Sequence, residues 1–277
     1  MPSAPEPLLV LEDVSFAYLD RFPALDAVSF SIRAGERVAL LGANGCGKST
    51  LLKILAGLLF PGTGEYRAFG EVVTEDRLED EQFSTGFRQR IGLVFQNPEA
   101  QVFSPSVREE LAFGPLQLGL HPDAVSARVQ DLLRMFDIEA LAERAPYQLS
   151  VGQKKRVAIA ATLAGNPELL LFDEPTAGLD PRTEGWLLEL LTELGDAGKT
   201  LVSATHDLGS LPWCADRCLV FSEEHALVAD LTPAELLADQ ELMLAMNLVH
   251  GRTQGSRTDD EGRRRAGGTR TTMRRIG

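Results

Sequence analysis

The sequence has few cysteines and no long apolar run. Its 277 residues include three cysteines, Cys46, Cys214 and Cys218, which are too few and too scattered for a disulfide framework. These cysteines and the four histidines form no set with metal-site spacing, so we predict no metal held by them. The longest apolar stretch, residues 51–60, is interrupted by Lys53 and is about half as long as a bilayer-spanning helix requires. The sequence therefore predicts a soluble chain.

A secretory signal is also missing from the amino terminus. The first ten residues, MPSAPEPLLV, contain three prolines and no basic residue, whereas a signal peptide opens on positive charge. The hydrophobic content of 44% and the charged content of 24% are ordinary for a globular protein. We expect a cytoplasmic protein with a sizeable core.

Positive charge is scarce except at the carboxyl terminus. The formal net charge is −13, but residues 251–277 carry eight arginines against three acidic residues, which leaves about −18 on the rest of the chain. An acidic body repels nucleic acid, so we predict no nucleic-acid partner. The tail at 251–277 is poor in apolar residues and is predicted to be disordered, the alternative being attraction to anionic lipid or to an acidic partner.

Strand and helix patterns alternate along most of the chain, which predicts an α/β fold. The middle, at about residues 97–166, changes to helices and loops and is predicted to be an inserted helical subdomain. Beyond it, strands and helices alternate in the order expected of a mainly parallel sheet with crossover helices. Predicted strands are 8–19, 24–32, 37–42, 62–70, 90–96, 168–175 and 200–206, with a hairpin at 216–230; predicted helices are 48–57, 106–120, 124–136, 154–165 and 181–199.

A phosphate-binding motif lies between a predicted strand and a predicted helix. The segment GANGCGKST, residues 42–50, fits the pattern G-x-x-x-x-G-K-[ST], with Gly42 first and Lys48 and Ser49 near its end. Glycines allow a tight turn with inward-pointing N–H groups, and the following helix adds its positive dipole end. We predict that Lys48 bridges the β- and γ-phosphates of a nucleotide and that the Ser49 hydroxyl binds Mg²⁺. The other nucleotide-binding candidates here are Asn44, Gly45, Cys46, Gly47 and Thr50.

Three further polar residues follow predicted strands. Asp173 and Glu174 stand at the carboxyl end of ELLLFDEP, the edge at which open α/β sheets bind ligands. We predict Asp173 in the Mg²⁺ shell and Glu174 as the base that orients and deprotonates an attacking water. His206 ends the next strand and is a candidate to hydrogen-bond the γ-phosphate or to hold the water and Glu174 in line. Without the phosphate loop, such an acidic pair would equally suit solvation or a helix cap.

The segment LSVGQKKRVAIA, residues 149–160, resembles the signature sequence of ABC ATPases. The family's other motifs are present in the family's order, and the resemblance covers about residues 8–248. It implies a P-loop NTPase of the ABC cassette type, with a RecA-like core, an antiparallel β subdomain and the inserted helical subdomain. Besides the phosphate loop and the acidic pair, the residues that carry the resemblance are Tyr18, Gln96, Ser150, Gly152, Gln153, Asp180 and His206.

The resemblance implies an active site shared between two chains. In this family the signature of one subunit covers the ATP held by the phosphate loop of the other. Ser150 and Gly152 are therefore expected to supply a hydroxyl, a backbone N–H and a helix N-terminus to the γ-phosphate, and Gln153 is counted among the binding residues. Asp180 is expected to link the two sites. The partner is then a second copy of this chain, in a homodimer.

Two residues are expected to contact the nucleotide of their own chain. Tyr18 matches the family's aromatic that stacks on adenine, the plain alternative being a strand aromatic. Gln96 matches the glutamine of the Q-loop, which contacts Mg²⁺, takes part in catalysis and opens the helical subdomain. Since every motif position holds the expected residue type, the resemblance implies an active ATP hydrolase with ATP and Mg²⁺ as its ligands.

Two positions in the motifs carry further expectations. Val151 replaces the signature's more usual glycine, and little loss of activity is expected from it. Cys46 lies inside the phosphate loop, so we expect a thiol reagent to block ATP hydrolysis and bound ATP to protect against it.

Residues 96–120 are similar to the ATPases of energy-coupling-factor importers, especially the cobalt and nickel type. This implies uptake of cobalt above all, or nickel, through separate membrane subunits for coupling and substrate binding, with the chain at the cytoplasmic face of the membrane. Residues 102–115 are predicted to form a groove for a coupling helix, or simply to reflect how that region packs. The alternatives are the ATPase of a vitamin-type importer and a soluble non-transport ABC ATPase, which the single cassette and the acidic body disfavour.

Overall fold

Residues 6–249 of the computed structural model fold around two β-sheets, and the tail at 251–277 lies outside these described residues. The strands are β1 Leu9–Tyr18, β2 Phe22–Ile32, β3 Arg37–Leu41, β4 Thr63–Ala68, β5 Glu71–Val72, β6 Ile91–Val94, β7 Leu169–Asp173, β8 Thr200–Ala204, β9 Arg217–Phe221 and β10 Leu227–Leu231. One sheet has the order β10-β9-β3-β8-β7-β6 and the other β2-β1-β4-β5. The larger sheet is parallel except for β10, and the smaller one is antiparallel.

Helices cover the sheets, and among residues 6–249 none is long and apolar enough to cross a bilayer. They are α1 Lys48–Leu55, α2 Glu75–Glu79, α3 Glu81–Arg90, α4 Val107–Gln117, α5 Pro122–Met135, α6 Val151–Ala164, α7 Pro181–Asp196, α8 Leu211–Cys214, α9 Pro233–Ala238 and α10 Gln240–Ala245.

The central strands of the parallel sheet are buried on both faces. All residues of β7 and β8 are buried, which is why they read as continuous apolar runs in the sequence. Successive side chains point to opposite faces of a strand. Leu170 and Phe172 accordingly join a hydrophobic cluster with α4 to α7, whereas Leu169 and Leu171 join a second cluster with α1 and the antiparallel sheet. The parallel sheet is therefore the middle layer of the molecule.

The helices α4, α5 and α6 occupy the range where helices are predicted, and its standing as a separate subdomain stays a prediction. The carboxyl-terminal half of α6 packs directly on β6. A Cβ atom built on Gly92 of β6 would lie 2.4 Å from Thr162 Cγ2, so the close approach requires glycine there.

Residues 71–81, which are rich in acidic side chains, lie between the predicted strands 62–70 and 90–96 and are themselves structured. They contain β5 and α2, and α3 follows at once. Two side chains cap these helices: Thr74 accepts the N–H of Arg77, and Asp80 accepts the N–H of Phe83. The predicted hairpin at 216–230 is confirmed, since β9 and β10 pair antiparallel.

Candidate nucleotide-binding site

A cleft of about 490 Å³ opens at the carboxyl edge of the parallel sheet. The loops that follow β3, β7 and β8 meet there, because the carboxyl ends of parallel strands lie at one edge. The predicted residues that line the cleft are Tyr18, Asn44, Gly45, Gly47, Lys48, Ser49, Thr50, Gln96, Glu174 and His206. The structure thus brings together most of the residues predicted to bind one nucleotide.

The phosphate loop, residues 42–50, depends on glycine at two crowded points. Gly42 and Gly47 have φ angles of 145° and 108°, which other residues rarely adopt. A Cβ atom on Gly47 would lie 2.0 Å from the Ala24 carbonyl oxygen, and one on Gly42 would lie 2.5 Å from that of Phe221. Gly42 shapes the turn without lining the cleft. The loop is therefore pressed against the neighbouring strands, which leaves its open side to the cleft.

The chemistry of the loop suits phosphate. Helix α1 begins at Lys48, and its N-cap, Gly47, provides no side chain to accept the first N–H groups. An anion can therefore take that place. The Lys48 ammonium is 7% exposed and donates to the carbonyl oxygens of Gly42, at 2.8 Å, and Ala43, at 3.1 Å. Since no described carboxylate pairs with it, this buried charge is left for a phosphate group.

Two oxygen ligands suited to Mg²⁺ meet beside the loop. Ser49 Oγ donates a hydrogen bond of 2.9 Å to Asp173 Oδ1, although the two residues are far apart in the sequence. Asp173 is 9% exposed and lies behind the lining of the cleft. Gln96, at the end of β6, lines the cleft itself. A hydroxyl, a carboxylate and a side-chain amide form the hard oxygen set that Mg²⁺ prefers, so the residues fit the cofactor.

Glu174 and His206 form a pair at the same edge. The His206 Nδ1 atom lies 2.7 Å from Glu174 Oε2. Glu174 is 7% exposed and has a φ angle of 44°, a conformation that costs free energy for a residue with a side chain. Its N–H donates to the Ala204 carbonyl oxygen of β8 at 2.9 Å, which holds the strained residue in place. The carboxylate is thereby fixed toward the cleft.

The aromatic end of the cleft comes from the hairpin of β1 and β2. Tyr18 Oη hydrogen-bonds Thr50 Oγ1 at 3.1 Å, and the Tyr18 ring packs edge-to-face on Phe16 with centroids 5.0 Å apart. Phe22 and Pro23, which belong to none of the sequence motifs, line the same end. In the hairpin of β1 and β2, Phe22 is paired with Tyr18. That strand register would have identified Phe22 as a residue lining the cleft.

The signature residues do not line this cleft. Ser150 is the N-cap of α6, where its Oγ accepts the Gln153 N–H and the Gln153 side chain accepts the Ser150 N–H. Gly152 lies beside α7, because a Cβ atom there would be 3.3 Å from Thr183 Oγ1. Val151 is 54% exposed. The signature thus presents a capped helix N-terminus away from the nucleotide cleft of its own chain.

Asp180 lies near the signature and also outside the cleft. It caps α7, accepting the N–H groups of Arg182 and Thr183 and the Thr183 hydroxyl, the last at 2.7 Å. The Thr183 hydroxyl lowers the pKa of the exposed Asp180 carboxyl. Asp180 and the signature therefore form a second group, joined through Thr183.

One buried charge beside the cleft has no counterpart in the predicted site. The Lys155 ammonium of α6 donates to the carbonyl oxygens of Phe95 and Gln96, both at 3.1 Å. Burial lowers the pKa of Lys155 to about 8, and the nearby Asp173 carboxylate opposes this shift. The sequence offers no signal for this contact, since lysine in a polar helix pattern usually faces water.

The structure does not place the Cys46 thiol where a reagent would readily reach it, so the expected block of ATP hydrolysis by a thiol reagent stays a prediction. The Cys46 side chain is 1% exposed, belongs to the hydrophobic cluster of α1 and the antiparallel sheet, and does not line the cleft. Burial raises the pKa of the thiol, and the neighbouring Lys48 only partly opposes this. Membership of the phosphate loop does not reveal the side-chain direction, which here points into the core.

Comparison with known proteins identifies the family. Residues 25–177 match the family model of the ABC transporter. The chain is 47% identical to the nickel import ATP-binding protein NikO of Rhodobacter capsulatus over 249 residues, covering 88% of this chain and 97% of that protein. The chain belongs to the ABC transporter family, as an ATP-binding subunit that hydrolyses ATP with Mg²⁺ as cofactor.

Solved structures agree in fold. CbiO1 of Clostridium perfringens, described as part of the ABC transporter complex CbiONQ, is 36% identical with a TM-score of 0.74, covering 88% of this chain and 95% of that one. A dimeric ATP-binding cassette in a post-hydrolysis state, bound to ADP and phosphate, is 30% identical with a TM-score of 0.72, covering 81% and 98%. The predicted fold class, an ABC cassette, is confirmed.

The burial of Cys46 makes its reactivity a test of the phosphate-loop geometry. A bulky aromatic disulfide should label Cys46 far more slowly in the native chain than in the chain unfolded by denaturant, because the thiol is buried and its pKa is raised. Mass spectrometry of the labelled peptides measures this. Rapid labelling of native Cys46, with ATP protecting, would contradict the structure.

Proposed function

We propose that this chain is the ATP-hydrolysing subunit of an energy-coupling-factor importer that powers uptake of cobalt or nickel through separate membrane subunits. The observation that carries the ATPase assignment is the pair of contacts at one sheet edge, Ser49 with Asp173 and Glu174 with His206. The similarity to a nickel import ATP-binding protein and to CbiO1 supports the transition-metal substrate.

The residues of the cleft divide into two roles. Lys48, Ser49, Gln96 and Asp173 hold the phosphates and the cofactor, and Mg²⁺ supplies neutralisation of charge on the phosphate oxygens when it is bound. Glu174 accepts a proton from a water placed in line with the γ-phosphate. The contact with His206 keeps the Glu174 carboxylate turned to that water. The His206 side chain is 65% exposed and lines the cleft, where its ring would face the nucleotide. Tyr18 packs on the adenine.

The site is completed by a second copy of the chain. The signature stands apart from the cleft of its own chain. Its capping box occupies the N–H groups of Ser150 and Gln153, which leaves those of Val151 and Gly152, at the positive end of a 14-residue helix, for an anion. Tyr147, just before the signature, is 80% exposed, and Val151 is 54% exposed, as expected of a surface that a partner covers. The similarity to a dimeric cassette bound to ADP and phosphate supports a homodimer with two shared sites.

The membrane partner is proposed to bind beside the Q-loop. Phe103 and Phe113 are 68% and 44% exposed and pack edge-to-face with centroids 5.1 Å apart. The buried Glu110 carboxylate holds this surface in shape by accepting the N–H groups of Phe103, at 2.9 Å, and Ser104, at 2.7 Å. A groove of about 690 Å³ between α3, α4 and α6 adjoins it, and we propose that a helix of a transmembrane subunit binds there. The chain then acts as a peripheral protein of the cytoplasmic face.

Replacing the proposed base tests the mechanism. Glu174→Gln keeps the shape and removes the proton acceptor, so kcat for ATP hydrolysis should fall about 10²–10⁴-fold. ATP binding and ATP-driven dimerisation should persist. Phosphate release and gel filtration with ATP measure the two effects.

Glu168→Gln is the matched control. Glu168 lies just before β7 and Glu174 just after it, and Glu168 forms a surface salt bridge with Arg90. The Glu168→Gln variant should keep nearly the activity of the unchanged chain. Brisk turnover by Glu174→Gln would refute the role of Glu174 as base.

Transport by the whole complex tests the substrate. The chain purified with its membrane subunits and placed in vesicles should take up Co²⁺ or Ni²⁺ only when ATP is supplied on the side of this chain, and Glu174→Gln should abolish that uptake. Radioactive Co²⁺, radioactive Ni²⁺ and a panel of labelled vitamins are compared in parallel. Uptake of a vitamin with neither metal transported would replace the metal assignment with the vitamin-type one.

A further inference from the structure

Helix α6 carries the signature at its start and a buried lysine in its second turn. Lys155 is 1% exposed, and its ammonium donates to the carbonyl oxygens of Phe95 and Gln96, both at 3.1 Å. These two carbonyls belong to the residues that leave β6 and enter the cleft. The side chain of Gln96 lines the cleft while its backbone is held from behind by α6.

Packing alone does not call for a charge at this position. A buried ammonium costs free energy unless hydrogen bonds compensate it, and an apolar side chain of similar length would fill the space without that cost. Neither carbonyl is part of a sheet ladder, so both need donors. The lysine satisfies two adjacent carbonyls at once and thereby fixes the path of the backbone at Gln96.

Further contacts bind the same segment to α6. Lys154, the neighbour of Lys155, forms a salt bridge with Glu99. Gln101 donates to the Thr162 hydroxyl of α6 at 3.0 Å and accepts the Phe95 N–H at 3.1 Å. The Q-loop segment, residues 95–101, is thus joined to α6 along its length, and Lys155 is the contact nearest the cleft.

We propose that Lys155 is a positioning residue that makes the Q-loop of one nucleotide site and the signature of the other move as one unit. This rests on the proposed function, in which Gln96 contacts the nucleotide of its own chain and Ser150 contacts that of the partner. An α-helix is stiff over one turn, so a displacement of the Gln96 backbone passes through Lys155 to the N-terminus of α6. Occupancy of one site is thereby reported to the other.

Substitution of Lys155 separates this role from simple packing. Lys155→Met keeps the length and removes the donors, and Lys155→Arg keeps donors for both carbonyls. Lys199→Met is the matched control, because Lys199 likewise donates to Asn166 Oδ1, at 2.7 Å, and to the Pro167 carbonyl oxygen, at 2.8 Å, but touches neither loop. Each full-length variant is assayed for ATP hydrolysis, for binding of a fluorescent ATP analogue, and for melting temperature.

The expected result is a split between turnover and binding. Lys155→Met should lower kcat at least about 10-fold and leave KM and the Kd of the analogue within about 2-fold, because the ammonium does not line the cleft. Lys155→Arg should recover kcat to within about 3-fold of the value for the unchanged chain. Lys199→Met, the control, should have the same kcat as the unchanged chain. In the Glu174→Gln background, Lys155→Met should also weaken ATP-driven dimerisation, measured by gel filtration.

Three results would overturn the proposal. One is Lys155→Met with an unchanged kcat. Another is a Lys155→Met variant whose kcat and affinity for the ATP analogue fall by the same factor, which is the result that a local packing defect would give. The third is loss of the folded state in both Lys155 variants, which would show that the residue serves stability alone. Failure of the proposed function would look different from these results, because the chain without any substitution would then fail to hydrolyse ATP.

Discussion

The parallel pairing of β3, β7 and β8 is the constraint on which the site depends. The carboxyl ends of these strands lie at one edge of the sheet. The phosphate loop, the acidic pair and His206 are therefore brought together although they are far apart in the sequence. The contact of Ser49 with Asp173, at 2.9 Å, is the direct result. Burial on both faces keeps the strands in register, which fixes the positions of the candidate ligand-binding groups relative to one another.

Motifs in the sequence predict most of the residues that line the cleft, because each motif reflects what the local backbone requires. The glycines of the phosphate loop and the acidic residues after β7 follow from turn geometry and strand ends. Side-chain direction does not follow from a motif: Cys46 points into the core, and Lys155 is buried against carbonyls from another part of the chain. The helices α2 and α3 escape a pattern search because α2 has five residues, none of them buried, and α3 buries only Ser84 and Phe87.

In the proposed function, a single chain holds two halves of different sites. The cleft contains the groups proposed to bind phosphate and to accept a proton, and the capped start of α6 does not line it. Gly152 lies close to Thr183, whose hydroxyl donates to Asp180, so the signature and Asp180 are neighbours in the structure. Between the halves lies the Q-loop segment, held to α6 by Lys155 and Gln101. The fold thus connects nucleotide binding to the surface of Phe103 and Phe113 through short, buried contacts.

The sharing of sites is tested most directly by mixed dimers. A chain with Lys48→Ala and a chain with Ser150→Arg, both also carrying Glu174→Gln to retain ATP, are coexpressed with two different tags and purified together. If the sites are shared, the mixed dimer has one intact site and retains about one ATP through gel filtration, whereas neither homodimer retains any. Retention of about two ATP by the Ser150→Arg homodimer, one for each intact phosphate loop, would show that one chain suffices, and would contradict a shared site.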